Sequence, residues 1–132
     1  MSKNPVVHFE MPYENLERVS KFYETAFGWE MHNTGEVMGN YIMAHAADTD
    51  ENNMVKTPGT INGGFFAKNK DELTHKPSIV ISVEDISVAM KMVKEAGGEV
   101  IGNPVDIPTV GSFVSFRDSE GNTASILQPI KR

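Results

Sequence analysis

His8 and Glu10 stand two residues apart in the segment VVHFE. Side chains alternate along a strand, so the imidazole and the carboxylate share one face. Such a pair has the chemistry of a general acid and base, or of two ligands to a cation. A plainer role is the commoner one for such a pair, a His–Glu hydrogen bond or a partly solvated polar face. Of the other histidines, His45 shares a face with Tyr41 and Met43, where it lines a ligand site or is ordinarily half-buried. His32 falls on the surface of a second strand, and His75 precedes Lys76-Pro77 in a polar linker. Trp29, Tyr41 and Phe65 have the apolar surface to wall a small ligand, with Asn62 nearby. Aromatic residues on strands also build cores. Asp118, Gly121 and Asn122 in DSEGN suit a turn, because Asp and Asn hydrogen-bond locally and Gly accepts positive φ. Cysteine is absent, which excludes a thiolate nucleophile, a disulfide framework and a Cys metal site. The sequence also lacks a phosphate-cradling glycine loop, G-x-S-x-G and H-E-x-x-H.

The elements that must position these residues are organised around VVHFEMPYENLERVSKFYETAFGW, residues 6–29. It opens as a strand, with Val7, Phe9 and Met11 opposite His8 and Glu10. After Pro12 the period changes. Leu16, Val19, Tyr23 and Ala26 recur at helical spacing, with Glu17, Arg18, Lys21 and Glu24 opposite. Asn15 is the N-cap and Gly28 the C′ glycine of this helix. Shifted by 70 residues without a gap, the stretch lies on PSIVISVEDISVAMKMVKEAGGE. Glu14 meets Glu84, Asn15 meets Asp85, Leu16 meets Ile86, Tyr23 meets Val93 and Gly28 meets Gly98. Strand, cap, apolar stripe and glycine agree in one register, which indicates a duplicated unit.

Further strands are expected at 29–34, 41–46 and 61–66, and in the second half at 78–83, near 99–102, 110–117 and 123–128, with the second helix at about 86–96. Residues 47–59 are polar and aperiodic, a long loop of the kind that serves as a lid or binding segment. The glycines of INGGFF mark a place where a backbone or ligand comes close. Each half reads β-α-β-β-β, giving an α+β domain. The expected organisation is a single domain over 1–132: a first module at 1–66, a linker at 67–77 and a second module at 78–132. At 132 residues, 39% hydrophobic and 23% charged, the chain has room for one core. The net charge of −6 argues against nucleic acid or an anionic membrane as partner. The opening MSKNPVVHF has no apolar signal core, so a cytoplasmic location is expected. The eight methionines read as adaptable core filler.

On VVHFE, KFYETAFGW, the GG of INGGFF and FRDSEGNTASILQP, the chain resembles the vicinal oxygen chelate superfamily of glyoxalase I, bleomycin- and fosfomycin-resistance proteins and extradiol dioxygenases. The resemblance covers nearly the whole chain. It implies two tandem βαβββ modules forming a cup-shaped mixed sheet with helices on the outer face. It also implies one divalent cation held from the first, fourth, fifth and eighth strands. Carried onto this sequence, those positions are His8, a residue within Ile61 to Gly64, Ser78 and Ser125; only His8 has a ligand's chemistry.

The resulting expectation is a small, partly apolar organic molecule bound in the cup by His8, Glu10, Trp29, Tyr41, Asn62, Phe65, Ser78 and Ser125, with no metal and no cofactor. The alternative is an enzyme: a divergent metal-dependent lyase or isomerase of the glyoxalase I type, or metal-free acid–base chemistry by His8 and Glu10. A third reading is an interaction protein whose cup is closed by bulky side chains. The resemblance further implies a homodimer. His8, Glu10, Ser78 and Ser125 are expected to converge on one cavity, and metal-dependent glyoxalase activity is expected to be absent.

Overall fold

A computed structural model of the chain describes residues 3–131. They form two compact units, one of His8–Pro77 and the other of residues 78–131 with the segment before His8. The first unit contains β1 (Val6–Tyr13) from His8 onward, α1 (Leu16–Phe27), β2 (Glu30–Asn33), β3 (Ile42–His45) and β4 (Asn62–Ala67). The second contains β5 (Ser78–Ser82), α2 (Ile86–Glu95), β6 (Glu99–Ile107), β7 (Gly111–Arg117) and β8 (Thr123–Pro129). The fold is α+β, and each unit is a βαβββ module.

The two modules repeat one topology. In the first, β1 pairs parallel with β4, β4 antiparallel with β3, and β3 antiparallel with β2. In the second, β5 pairs parallel with β8, β8 antiparallel with β7, and β7 antiparallel with β6. The registers also correspond: Glu10 faces Gly64 and Val80 faces Ser125, and Val80 is the repeat partner of Glu10.

Each helix packs its stripe, partly buried, on one side of its own sheet, though Ala26 at the end of the first stripe stays exposed. Tyr13, Ile42, Ala44 and Phe65 form the first core, joined by Phe9, Met11, Leu16, Val19, Tyr23, Trp29 and Met31. Val83, Ile86, Val114 and Ile126 form the second, with Ile81, Ala89, Met90, Val93, Val100 and Phe116. The anchors Leu16/Ile86 and Tyr23/Val93 thus pack in equivalent places. Val7 and Ile79, the outermost members of the expected stripes, stay about 40% exposed.

The caps follow the chemistry of their residues. Asn15 Oδ1 accepts from the Arg18 N–H at 2.9 Å, and Asp85 Oδ1 from those of Ser87 and Val88. Gly28 takes a left-handed φ of 72°, its N–H reaching the Glu24 carbonyl and that of Trp29 the Tyr23 carbonyl. This reversal folds Trp29 back onto the helix, where it stacks on Tyr23 at 4.7 Å between centroids. The second helix departs from the 70-residue register here. Gly97, with φ 98°, takes the left-handed place, and Gly98 is spent on close packing, a Cβ there lying 2.6 Å from the Arg117 carbonyl.

Two segments differ from the sequence expectation. The β6 strand runs on to Ile107 beyond a register shift between Ile101 and Val105, where Gly102 has φ 75°. Within its module β6 pairs only with β7, so Pro104 removes no ladder bond that its neighbour needs. The 47–59 loop is locally ordered. Asp50 Oδ1 accepts from the Asn52 and Met54 N–H groups, and Thr49 bridges Val55. The linker holds a short 3₁₀ turn, Glu72–His75.

The aromatic residues of KFYETAFGW therefore divide into inward and outward. Trp29 packs against the core, whereas Phe22 and Phe27 are 55% and 63% exposed. Trp29→Ala is expected to lower the unfolding free energy by about 3–5 kcal/mol. Phe22→Ala and Phe27→Ala should each cost well under half of that. Urea denaturation of the three variants measures the difference.

Candidate functional site

The alternation of β1 places His8 and Glu10 on the side of the first sheet away from α1. They meet there through Tyr41, which precedes β3. Tyr41 Oη donates to Glu10 Oε2 at 3.0 Å and lies 3.0 Å from His8 Nε2. Tyr41 has one hydroxyl proton. With that proton on Glu10, the bond to His8 requires a proton on Nε2, which fixes the tautomer and leaves Nδ1 as an acceptor.

The phenol reaches both partners because β4 has no side chain beneath it. A Cβ at Gly64 would fall on the Tyr41 hydroxyl and ring. On the opposite side, a Cβ at Gly63 would fall inside the Phe9 ring. The glycine pair does admit a close approach, as its sequence suggested, and what approaches is two of the protein's own aromatic rings.

All three groups are partly buried. Burial pushes the Glu10 carboxyl above its ordinary range, partly offset by the Tyr41 hydrogen bond. Burial alone pulls His8 below its ordinary value. Burial, followed by the charge and hydrogen bond of Glu10, holds the Tyr41 phenol well above the usual tyrosine range, so it is no phenolate base near neutrality.

The other sequence candidates are placed as follows. Asn62 faces His8 in the β1–β4 register, and its Oδ1 accepts from the Ala47 N–H at 2.7 Å. Trp29 and Phe65 lie on the helix side: Phe65 is 1% exposed, and Trp29 packs on Phe9 and Tyr23. Alternation from Asn62 to Phe65 turns these two residues to opposite faces, so Trp29 and Phe65 are core rather than walls beside His8. Ser78 and Ser125 belong to the other unit. Ser78 Oγ donates to the Thr123 carbonyl at 3.1 Å, and Ser125, 3% exposed, bonds Ser115 Oγ at 3.2 Å. His32 and His45 are exposed, and His75, also exposed, has Nε2 on the Asn69 carbonyl. Asp118 accepts from Glu120, Asn122 and the Asn122 amide, bonds that hold its carboxyl below its ordinary value and build the expected turn. A cleft of about 580 Å³ near the start of α2, lined by Pro5, Ser82, Asp85 and Pro129 among others, involves none of these candidates.

The register now fixes the fourth-strand position. Ser125 faces Val80 as Gly64 faces Glu10, so the repeat equivalent of Ser125 is Gly64. The four positions at which the resemblance implies metal ligands are therefore His8, Gly64, Ser78 and Ser125. Glycine offers no donor atom, both serine hydroxyls are engaged, and His8 Nε2 holds Tyr41. Among the described residues no three His, Asp or Glu side chains come together as a cation site. This donor set does not fit a divalent ion. None of the helices among the described residues is long and apolar enough to cross a membrane.

Comparison with known proteins agrees with the fold. The family model described as Glyoxalase/Bleomycin resistance protein/Dioxygenase superfamily matches residues 6–126. The chain belongs to this superfamily. It is 27% identical over 122 residues to a glyoxylase-like domain-containing protein of Didymella fabae, covering 89% of this chain and 88% of that one. It is 28% identical over 110 residues to CFP32 of Mycobacterium bovis, covering 82% of this chain but only 38% of that protein. Among solved structures, a variant of Streptomyces coelicolor methylmalonyl-CoA epimerase in complex with 2-nitronate-propionyl-CoA has a TM-score of 0.72 at 14% identity, covering 98% of this chain and 100% of that one. The hypothetical protein BH1468 of Bacillus halodurans has a TM-score of 0.70 at 13% identity, covering 99% and 98%. At these identities the solved structures share the fold alone.

Two expectations arise from this geometry. Gly64→Ala should destabilise the protein by about 1–3 kcal/mol, because the new methyl collides with Tyr41. In a Tyr41→Ala background the same change should be neutral or slightly stabilising, since a strand alanine restricts the unfolded chain more than glycine. A double-mutant cycle by chemical denaturation measures the coupling.

The second concerns pH. His8 has a folded pKa below 6.5, so its contribution to stability is present above 6.5 and lost as pH falls toward the folded value. Glu10 has a folded pKa above 4.5, so its contribution is present below 4.5 and lost as pH rises through the folded value. His8→Gln should remove the first dependence and Glu10→Gln the second. Denaturation midpoints from about pH 4 to 8 should show each slope disappearing separately.

Proposed function

We propose that this chain binds a small, partly apolar organic molecule on the His8–Glu10–Tyr41 face without a catalytic divalent cation. The observation behind this reading is the Tyr41 hydroxyl held between His8 and Glu10 across Gly64. A cation seeking His8 Nε2 must displace this bond and would gain no carboxylate from β4, where Gly64 stands. A hydrogen bond between neutral groups is worth about 0.5–1.5 kcal/mol net, and a single imidazole offers a divalent ion little to set against that loss, since catalytic sites use about three protein ligands. His8, Glu10, Tyr41 and Asn62 would meet the polar part of the ligand. Met43, opposite Gly64 in the β3–β4 register, would supply apolar contact. We also propose a homodimer, on the superfamily resemblance, and a cytoplasmic location, on the acidic composition.

The hydrogen-bonded line from Glu10 through Tyr41 to His8 favours a second reading, metal-free acid–base chemistry. Glu10 would take a proton from a bound carbon or heteroatom acid, which neutralises its carboxylate and leaves the negative charge on the substrate. Stabilisation of a developing oxyanion would then fall to donors such as the Asn62 amide, far weaker than a Lewis acid.

Elemental analysis of protein incubated with Ni²⁺, Co²⁺ and Zn²⁺ and then desalted tests the first reading. The expected result is well below one ion per chain, with no turnover of the methylglyoxal–glutathione hemithioacetal. About one tightly held ion per chain, lost on His8→Ala, would overturn it in favour of a metal enzyme.

A further inference from the structure

Resting on that reading of the His8 face, we infer that its ligand is an organic ammonium ion, recognised by Glu10 and His8 as paired acceptors, rather than a carboxylate or other anion. The inference comes from where the protons of the relay go. Tyr41 Oη donates its one hydrogen bond to Glu10 Oε2, so the 3.0 Å contact with His8 Nε2 calls for the tautomer in which Nε2–H donates to Tyr41. Both donors are consumed inside the relay. What remains is Glu10 Oε1 and His8 Nδ1, two atoms that only accept. Neither has a hydrogen-bond or salt-bridge partner among the described residues, and none of these residues has a buried side-chain nitrogen or oxygen left unpartnered. The two free acceptors are therefore not fully sealed from solvent, although the side chains that carry them are partly buried.

A ligand must match that pattern. An anion would bring further lone pairs against Glu10 Oε1 in a chain whose net charge is −6. An ammonium group supplies N–H donors to both atoms and a charge opposite to that of Glu10. Asn62 adds a complementary feature. Its Oδ1 is engaged by the Ala47 N–H, so its amide nitrogen offers a donor beside His8. That donor suits a neutral carbonyl, ether or hydroxyl oxygen on the same molecule. The ligand class is thus a small amine, protonated near neutral pH, with an apolar body and a neutral oxygen.

Three probes of similar size and different charge separate the possibilities: benzylammonium, benzyl alcohol and benzoate. Each is titrated into the full ¹⁵N-labelled chain, and amide shifts are followed. Saturable shifts of His8, Glu10, Tyr41 and Gly64 with benzylammonium, far exceeding those with benzoate, are expected. Glu10→Gln should weaken benzylammonium binding by at least about tenfold, the loss of one charge-assisted contact. Tyr41→Phe releases Glu10 Oε2 and should tighten it, which keeps the test informative if Glu10→Gln folds poorly. Benzoate or benzyl alcohol moving the same amides as strongly would overturn the ammonium assignment and leave metal-free binding standing. Silence from all three probes, or weaker benzylammonium binding by Tyr41→Phe, would also overturn the assignment. Failure of the metal-free reading itself would show separately, as a retained ion in elemental analysis.

Discussion

The geometry of the first module depends on a missing side chain. Gly64 leaves the middle of β4 bare, and the Tyr41 phenol lies in the space where a Cβ would stand. Without that space Tyr41 could not reach Glu10 and His8 together, and two partly buried ionisable groups would lose their common partner. A buried carboxylate or imidazole without partners is costly. The phenol answers both needs with one hydroxyl, accepting from one group and donating to the other. Gly63 performs the matching service on the helix side, where the Phe9 ring lies over it and meets Trp29 at 5.4 Å. Two adjacent glycines thus set the polar face and the core of one sheet, and alternation assigns each its side.

The helix end is the second constraint. The left-handed Gly28 turns the chain so that Trp29 returns to Tyr23, and both rings join Phe9 and Phe65 in one aromatic cluster. The second module has the same topology and Val93 where the first has Tyr23, with no tryptophan after its glycines. Its core is aliphatic but for Phe116. The two modules share strand pairing and capping chemistry, while the filling of their cores differs. Backbone hydrogen bonding and caps tolerate few residue types, whereas a core accepts many combinations of similar volume.

That contrast explains what could be read from the sequence. The caps at Asn15 and Asp85, the Gly28 turn, the DSEGN turn and both βαβββ modules rest on local chemistry and periodicity, and the structure has them. Features set by tertiary packing were not legible. Gly97 and Gly98 are adjacent, and only the approach of the Arg117 carbonyl assigns one to the turn and the other to the contact. Trp29 and Phe65 have the composition of pocket walls, and only the register of β1 with β4 turns them into the core. Tyr41 was legible as an aromatic residue on the His8 face. Its bonds to residues 31 and 33 positions earlier depend on how β3 and β4 bring the chain back, which no local pattern encodes. The fourth-strand position was uncertain because an irregular loop precedes β4. Ladder pairing then fixed it at Gly64.

The Tyr41 hydroxyl between His8 and Glu10 shapes the electrostatics of the face as well as its chemistry. A divalent ion would neutralise Glu10 and hold its carboxylate ionised, while turning His8 into a lone-pair donor. A hydroxyl brings no net charge. The two ionisable groups must then be accommodated by desolvation, which raises one pKa and lowers the other, so both are biased toward their neutral forms. An incoming cation reverses part of that bias at Glu10, because its charge stabilises the carboxylate that burial disfavours. An incoming anion strengthens the bias instead. On the function proposed above, the hydroxyl that occupies His8 Nε2 leaves a face whose proton state would respond to the sign of what binds it.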